Sequence, residues 1–160
     1  MTRTVWRIAT DAPTFEADDM TGAGARLTGG RWNEAGVPVV YASTNRALAC
    51  LETVVHLNAG GLPLNRYLVE IAIPDAVWAA REEVDAAGLV GWNARPASRT
   101  SIGFGTQWAR SGRSPILVVP SVVVPEEANV LVNPLHPLAA SLAARKLRLW
   151  TYDPRMAKAT

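Results

Sequence analysis

The chain has 160 residues, 49% apolar and 19% charged, with 16 basic and 14 acidic side chains and a formal net charge of +2. That length and apolar share suffice for one sizeable core, and no polar linker divides them, so one globular domain over residues 1–160 is expected. The small net charge argues against a nucleic-acid surface. No apolar run nears the roughly 20 residues of a bilayer span, and the start lacks a signal-peptide core, so no direct nucleic-acid partner, no membrane and a cytoplasmic setting are expected. The lone Cys50, which can close no intrachain disulfide, agrees with that compartment.

In chain order, Thr4 to Ala9 reads as a strand. The stretch from Gly29 to Ser43, GGRWNEAGVPVVYAS, has two readings. One is a hairpin with its turn at Asn33 to Gly36 and a returning strand from Val37 to Tyr41. The other is a backbone that approaches a ligand while Arg31 and Tyr41 face it. With Ala42 included, Val37 to Ala42 is the second strand. A helix follows over Thr44 to Leu57, capped by Ser43 or Thr44, with Leu48, Leu51 and Val55 as its buried stripe. At about 100° per residue, Glu52 projects about 40° from Leu48 and about 60° from Val55, on the margin of that stripe. A carboxylate there needs a salt bridge, to Arg46 or another arginine, or a chemical purpose.

Arg66 to Ile73 reads as a third strand, followed by a weak helical turn near Asp75 to Glu83. Ala97 to Ser111 has helical spacing, although Gly103 and Gly105 count against it. Ile116 to Val124 and the short Asn129 to Val132 read as strands, Pro137 to Lys146 as a helix, and Lys146 to Tyr152 as the last strand. Strands and helices are interspersed without a regular βαβ rhythm, so the expected class is α+β.

The distribution of charge says more than its total. No acid lies between Asp85 and Glu126, while Arg95, Arg99, Arg110 and Arg113 fall inside that window. A second acid-free window, Ala128 to Tyr152, holds Arg145, Lys146 and Arg148. Arginine outnumbers lysine 14 to 2, and its planar fork suits phosphate, so the clustering points to a small anionic ligand. Cys50 and His56 lie on different sides of one helix, which argues against a direct nucleophile-base couple. His136, between prolines, is expected to order a turn. Two histidines and one cysteine provide no metal-ligand spacing, so no metal is expected. The glycine pairs do not have the strand-to-helix context of a dinucleotide fingerprint.

Taken together, Trp6-Arg7-Ile8, Gly29-Gly30-Arg31-Trp32-Asn33, Pro38-Val39-Val40-Tyr41-Ala42-Ser43, Ala47-Leu48-Ala49-Cys50-Leu51-Glu52 and Asn133-Pro134-Leu135-His136-Pro137 resemble the RES domain, the toxin of a bacterial toxin-antitoxin system. The resemblance runs over nearly the whole chain, with the motifs in the family's order. It implies a single domain with a mixed sheet and flanking helices, similar to ADP-ribosyltransferase toxins. It also implies an enzyme that uses NAD+ as substrate and arrests growth. The family's arginine, glutamate and serine map by motif position onto Arg31, Glu52 and Ser121. The implied partner is an Xre-type helix-turn-helix antitoxin that blocks the active site. The implied acceptor of ADP-ribose is water, phosphate or a host protein. Arg31 and Glu52 are only 21 residues apart, a compressed version of the familiar transferase layout, so the acceptor does not follow by analogy.

The chemistry accounts for these residue types. Cleavage between ribose and nicotinamide passes through an oxocarbenium-like state, which a carboxylate stabilises, and this is the role expected of Glu52. Arg31 would hold the pyrophosphate, and Tyr41 would stack on the nicotinamide or bond to the ribose. Arg7 and Arg26 are further candidate phosphate contacts, Ser121 is a candidate binding residue, and Asn133 would shape the pocket wall. Two other classes remain open: a regulatory module that binds a nucleotide without turnover, and a nucleic-acid-binding protein suggested by a pI near 9.0 and six tryptophans.

Overall fold

Alternation along the first strand sets up the architecture. In β1 (Thr2–Thr10), Val5 and Ala9 enter one core cluster and Trp6 and Ile8 enter another, so both faces of this strand are covered. The computed structural model describes residues 1–57 and 61–157. The remaining strands are β2 (Val40–Ser43), β3 (Arg66–Pro74), β4 (Glu82–Glu83), β5 (Ile116–Pro120), β6 (Ala128–Val132) and β7 (Ala143–Leu149). The helices are α1 (Ala23–Thr28), α2 (Arg46–Val54), α3 (Asp75–Ala79) and α4 (Arg99–Ser111). All seven strands form one sheet in the order β4-β5-β6-β2-β1-β3-β7. The β4-β5 pair is parallel and the others are antiparallel. The protein is therefore α+β, with a mixed sheet flanked by helices.

One face of the sheet carries a continuous apolar layer, including Val5, Val40, Val69, Ile71, Ile116 and Val130. The other face is divided. At one end, Trp32, Trp92 and Trp108 pack with Leu117, Val119 and Leu131. At the other, Trp6, Ile8 and Leu68 pack with Ala49, Cys50 and Tyr152. The division follows the strand pairing. β1 pairs with β3 along its full length, but β1 and β2 share only Trp6↔Ser43. Beyond that pair the two strands part, and the sheet opens between its two halves.

Several sequence expectations move. The Gly29 to Ser43 stretch turns twice: at Ala35-Gly36, inside the expected Asn33 to Gly36 turn, where Val37 N–H donates to the Glu34 carbonyl at 3.2 Å, and earlier at Arg31-Trp32, closed by Gly30 N–H donating to the Asn33 carbonyl at 2.9 Å. The strand after it begins only at Val40. The cap of α2 is Asn45, whose Oδ1 accepts from Leu48 N–H at 2.8 Å, not Ser43 or Thr44. Its buried residues are Leu48, Ala49 and Cys50, whereas Leu51 and Val55 are 39% and 47% exposed. The face turned to the sheet is thus rotated away from Leu51. The expected helix over Pro137 to Lys146 is a short 3-10 turn at Pro137–Ser141 followed by β7. The long strand β3 leaves an open edge there, and pairing from Tyr67↔Leu149 to Ala72↔Ala143 draws the chain into the sheet. Likewise β5 ends at Pro120, not Val124, where the chain bends so that Ser121 N–H meets the Glu127 carbonyl at 3.0 Å.

Candidate active site

The parting of β1 and β2 makes a cleft of about 990 Å³. Its walls include Arg7 to Thr10 from β1, Tyr41 to Ser43 from β2, and Glu52 and Thr53 from α2. The Gly29 to Trp32 turn and the Pro96-Ala97 and Val122-Val123 segments complete the rim. This volume is at the upper end for small-molecule sites and matches an extended ligand better than a compact one.

Glu52 is half-buried and firmly held. Its Oε1 accepts from Ser121 Oγ at 2.6 Å and from Asn129 Nδ2 at 2.7 Å. Ser121 is fully buried, and its Oγ in turn accepts from the N–H groups of Val123 and Val124 at 3.0 and 3.1 Å. Asn129 is oriented by Ser43, whose Oγ donates to Asn129 Oδ1 at 2.7 Å. The bend after β5 therefore builds a small backbone nest around one hydroxyl, and that hydroxyl fixes one carboxylate oxygen. Both bonds fall on Oε1, so Oε2 keeps its acceptor capacity on the cleft wall. No ion pair to Glu52 occurs among the described residues, and Arg46 instead lies over the Trp6 ring, 3.7 Å from its centroid. The salt-bridge reading of Glu52 is thereby replaced by a hydrogen-bonded one.

Arg31 also lines the cleft. Its Nη1 donates to the carbonyls of Trp92 and Ala94 at 3.0 and 2.8 Å, which leaves Nε and Nη2 without a partner among the described residues. Burial draws the guanidinium below its usual pKa and the charge of Glu52 opposes that shift, while Arg95 adds to it. The turn that presents Arg31 is fixed from below. Tyr41 Oη donates to Asn33 Oδ1 at 2.6 Å and accepts from Trp32 N–H at 3.0 Å. Burial pushes the Tyr41 phenol well above its usual value, so it stays a donor. The hydroxyl is engaged by the turn, and the ring lines the cleft. Asn33 completes the brace, its Nδ2 donating to the Ala25 and Val37 carbonyls at 2.9 Å each.

Gly30 permits this arrangement, since a Cβ there would lie 2.9 Å from Tyr41 Oη and 3.0 Å from Asn33 Oδ1. Trp32, 2% exposed, anchors the turn in the core, stacked on Trp92 with Phe104 edge-on.

Arg7 lies half-buried in the cleft wall. Burial draws its guanidinium below the usual value and Asp19 opposes, yet its side chain has no hydrogen bond or ion pair among the described residues. An arginine so placed asks for an anion. Two expected contacts fall elsewhere. Arg26 is exposed on α1 and does not line the cleft. Asn133 is buried outside it, its Nδ2 donating to the Ala109 carbonyl at 3.0 Å and its Oδ1 accepting from Leu135 N–H at 3.1 Å. It shapes the turn after β6.

Ser43 and Asn129 are neighbours of Glu52 that pattern reading missed. Both sit at strand ends, where sequence gives no sign of which side chain reaches across the sheet. Cys50 is buried and burial raises its thiol pKa, which keeps it protonated. His136 orders its turn through Nδ1, which accepts from Leu138 N–H at 3.1 Å.

Comparison with known proteins agrees with the motif order. The profile of the family described as the RES domain matches residues 4–154. The chain is 66% identical over 157 residues to a Sphingobium protein named Prs ADP-ribosylating toxin, covering 98% of each. It is 35% identical over 143 residues to a protein named Toxin Res from Yersinia enterocolitica, covering 89% of this chain and 93% of that one. It is 35% identical over 154 residues to a Toxin Res of Pseudomonas putida, covering 95% and 98% respectively. On this match over almost its full length, the chain belongs to the RES domain family of toxins.

Proposed function

We propose that this chain is the toxin of a toxin-antitoxin pair that cleaves NAD+ at the nicotinamide-ribose bond and passes ADP-ribose to a protein acceptor. The observation that carries this reading is Glu52, with Oε1 fixed by Ser121 and Asn129 and Oε2 unengaged, in a cleft that also contains the unpaired Arg7. Fixing one oxygen pre-organises the carboxylate, so its charge is in place before the reaction and little reorganisation is needed.

The geometry supports the following roles. Glu52 Oε2 accepts a ribose hydroxyl and stabilises positive charge as the bond from C1′ to the nicotinamide nitrogen breaks. The bonding electron pair leaves with that nitrogen, which becomes neutral, and the acceptor's lone pair forms the new bond to C1′ as its proton is lost. Arg7 and the free edge of Arg31 neutralise the pyrophosphate, and the Tyr41 ring supports the planar nicotinamide. The transferase branch is supported by the Sphingobium relative, whose name gives Prs as the protein modified. At 66% identity over 98% of both chains, the same acceptor is the first to test. An antitoxin of helix-turn-helix type completes the reading, because an active enzyme of this kind needs a neutralising partner in its own cell.

The test is incubation of the purified chain with NAD+ and Prs. The expected result is nicotinamide release together with a gain of one ADP-ribose in the mass of Prs. Release without modification of Prs moves the acceptor to water, phosphate or another protein. Background release with all of these and with cell extract overturns the enzyme reading. Binding of NAD+ without release marks the non-catalytic module instead.

A further inference from the structure

A third cleft arginine, beside Arg7 and Arg31, has no role in the chemistry above. Arg66 is the first residue of β3 and lines the cleft. Its Nε is buried with no hydrogen-bond partner, and its side chain forms no ion pair among the described residues. A buried donor on a cation costs free energy when unmet, and nothing among the described residues meets it.

The strand register gives its position relative to Glu52. The carboxylate network ends on Ser43, which pairs with Trp6. Arg7 is the next residue along β1, and Arg66 pairs with Thr10 at the far end of the strand. At about 3.4 Å per residue, the register position of Arg66 is about 14 Å along the strand from the Trp6↔Ser43 pair and about 10 Å from Arg7. Both arginines line the cleft, Arg66 on the sheet face it shares with Thr10, Ile8 and Trp6, against which α2 packs, and Arg7 at the β1 edge on the side of Val5 and Ala9. A dinucleotide laid along this edge, with its reacting ribose at Glu52, brings its adenylate half to Arg66.

We propose that Arg66 is a binding residue for the adenylate half of the substrate, gripping its phosphate from the end of the cleft remote from Glu52. The proposal deepens the NAD+ reading and rests on it for the orientation of the ligand. Arg66 makes the same contact in ground and transition states, so it sets KM, and its loss leaves the chemical step to Glu52.

The experiment measures binding of AMP and of nicotinamide mononucleotide, each alone, to the wild type and to Arg66→Gln and Arg66→Lys, with thermal melts on every protein. The expected result is that Arg66→Gln weakens AMP binding at least tenfold and nicotinamide mononucleotide binding less than threefold, with Arg66→Lys recovering part of the AMP affinity. Arg7→Ala should weaken both probes. Equal AMP affinity in wild type and a folded Arg66→Gln, or no AMP binding by the wild type, overturns the assignment. If Arg66→Gln does not fold, Arg66→Lys decides: it exchanges the fork for a point charge, and unchanged AMP affinity again overturns it. These readouts need no turnover, so failure of the NAD+-cleavage reading, seen as absent nicotinamide release, is distinguishable from failure of this one.

Discussion

At the residue scale, Glu52 and its two donors separate a catalytic carboxylate from a structural one. Glu52→Gln keeps the size of the side chain and removes its charge. The variant should fold, bind NAD+ nearly normally and lose about a hundredfold or more in kcat, since each 1.36 kcal/mol is tenfold in rate. A folded Glu52→Gln enzyme with near-normal kcat would remove Glu52 from the mechanism. Ser121→Ala and Asn129→Ala each take one charge-assisted bond from Oε1. Such bonds are worth about 1.5–3 kcal/mol, so each variant should lower kcat by about tenfold or more with a smaller change in KM. The test is kcat and KM beside thermal melts, and a change confined to KM would show that the network serves binding instead. Tyr41→Phe acts through another route. It deletes the bonds to Asn33 and Trp32 that fix the Arg31 turn, so KM for NAD+ should rise while the phenyl ring stays in the wall.

At the element scale, α4 holds the Arg31 turn, and its glycines explain how. Gly105 lies against the backbone of Trp32, where an added Cβ would stand 1.8 Å from the carbonyl oxygen and 2.7 Å from its carbon. The next residue, Thr106, accepts from Glu34 N–H through Oγ1 at 3.0 Å, so helix and turn interlock at two points. Gly105→Ala forces them apart. It should cost about 1–3 kcal/mol in a urea melt and also raise KM for NAD+, because Arg31 moves with the turn. Gly103 meets nothing within 4 Å, so Gly103→Ala should stabilise the helix by about 0.5–1 kcal/mol and leave KM alone. Equal effects of the two substitutions would contradict the close contact. The two glycines that counted against this helix in the sequence thus have different causes, one of them tertiary.

At the scale of the whole molecule, the edge strand β7 is tied to the segment after β1 by Lys146, whose Nζ donates to Asp11 Oδ1 and Oδ2 at 3.1 and 3.0 Å. The Ala17 N–H, followed by Lys146, holds the Asp11 carboxyl below the usual carboxylate range. A depressed folded pKa means that this contribution is present above the unfolded value, near 3.9, and is lost as pH falls through the folded one. Asp11→Asn should therefore lower the melting temperature at neutral pH and flatten its fall on acidification, and parallel wild-type and variant profiles would exclude the contribution. Among the described residues no helix is long and apolar enough to cross a membrane.

The α+β class, the strands β1, β3 and β6, and the helix carrying Glu52 follow from local pattern, because alternation and helical spacing are properties of neighbouring residues. Arg31, Glu52 and Ser121 could be chosen from motif order alone. The contact of Glu52 with Ser121 could not, since the two are 69 residues apart and meet only when the bend after β5 passes α2. The same holds for Asn129, which lies in no motif, for Ser43, which a motif includes without a role at the site, and for Asn133, which the fold turns away from the cleft. Pro137 to Lys146 has helical spacing, but the open edge of β3 takes the chain from Ala143 onward as a strand. Local sequence settles what a segment prefers. Which edges stay unpaired, and so where β1 and β2 part to make a cleft, depends on all seven strands competing for partners at once.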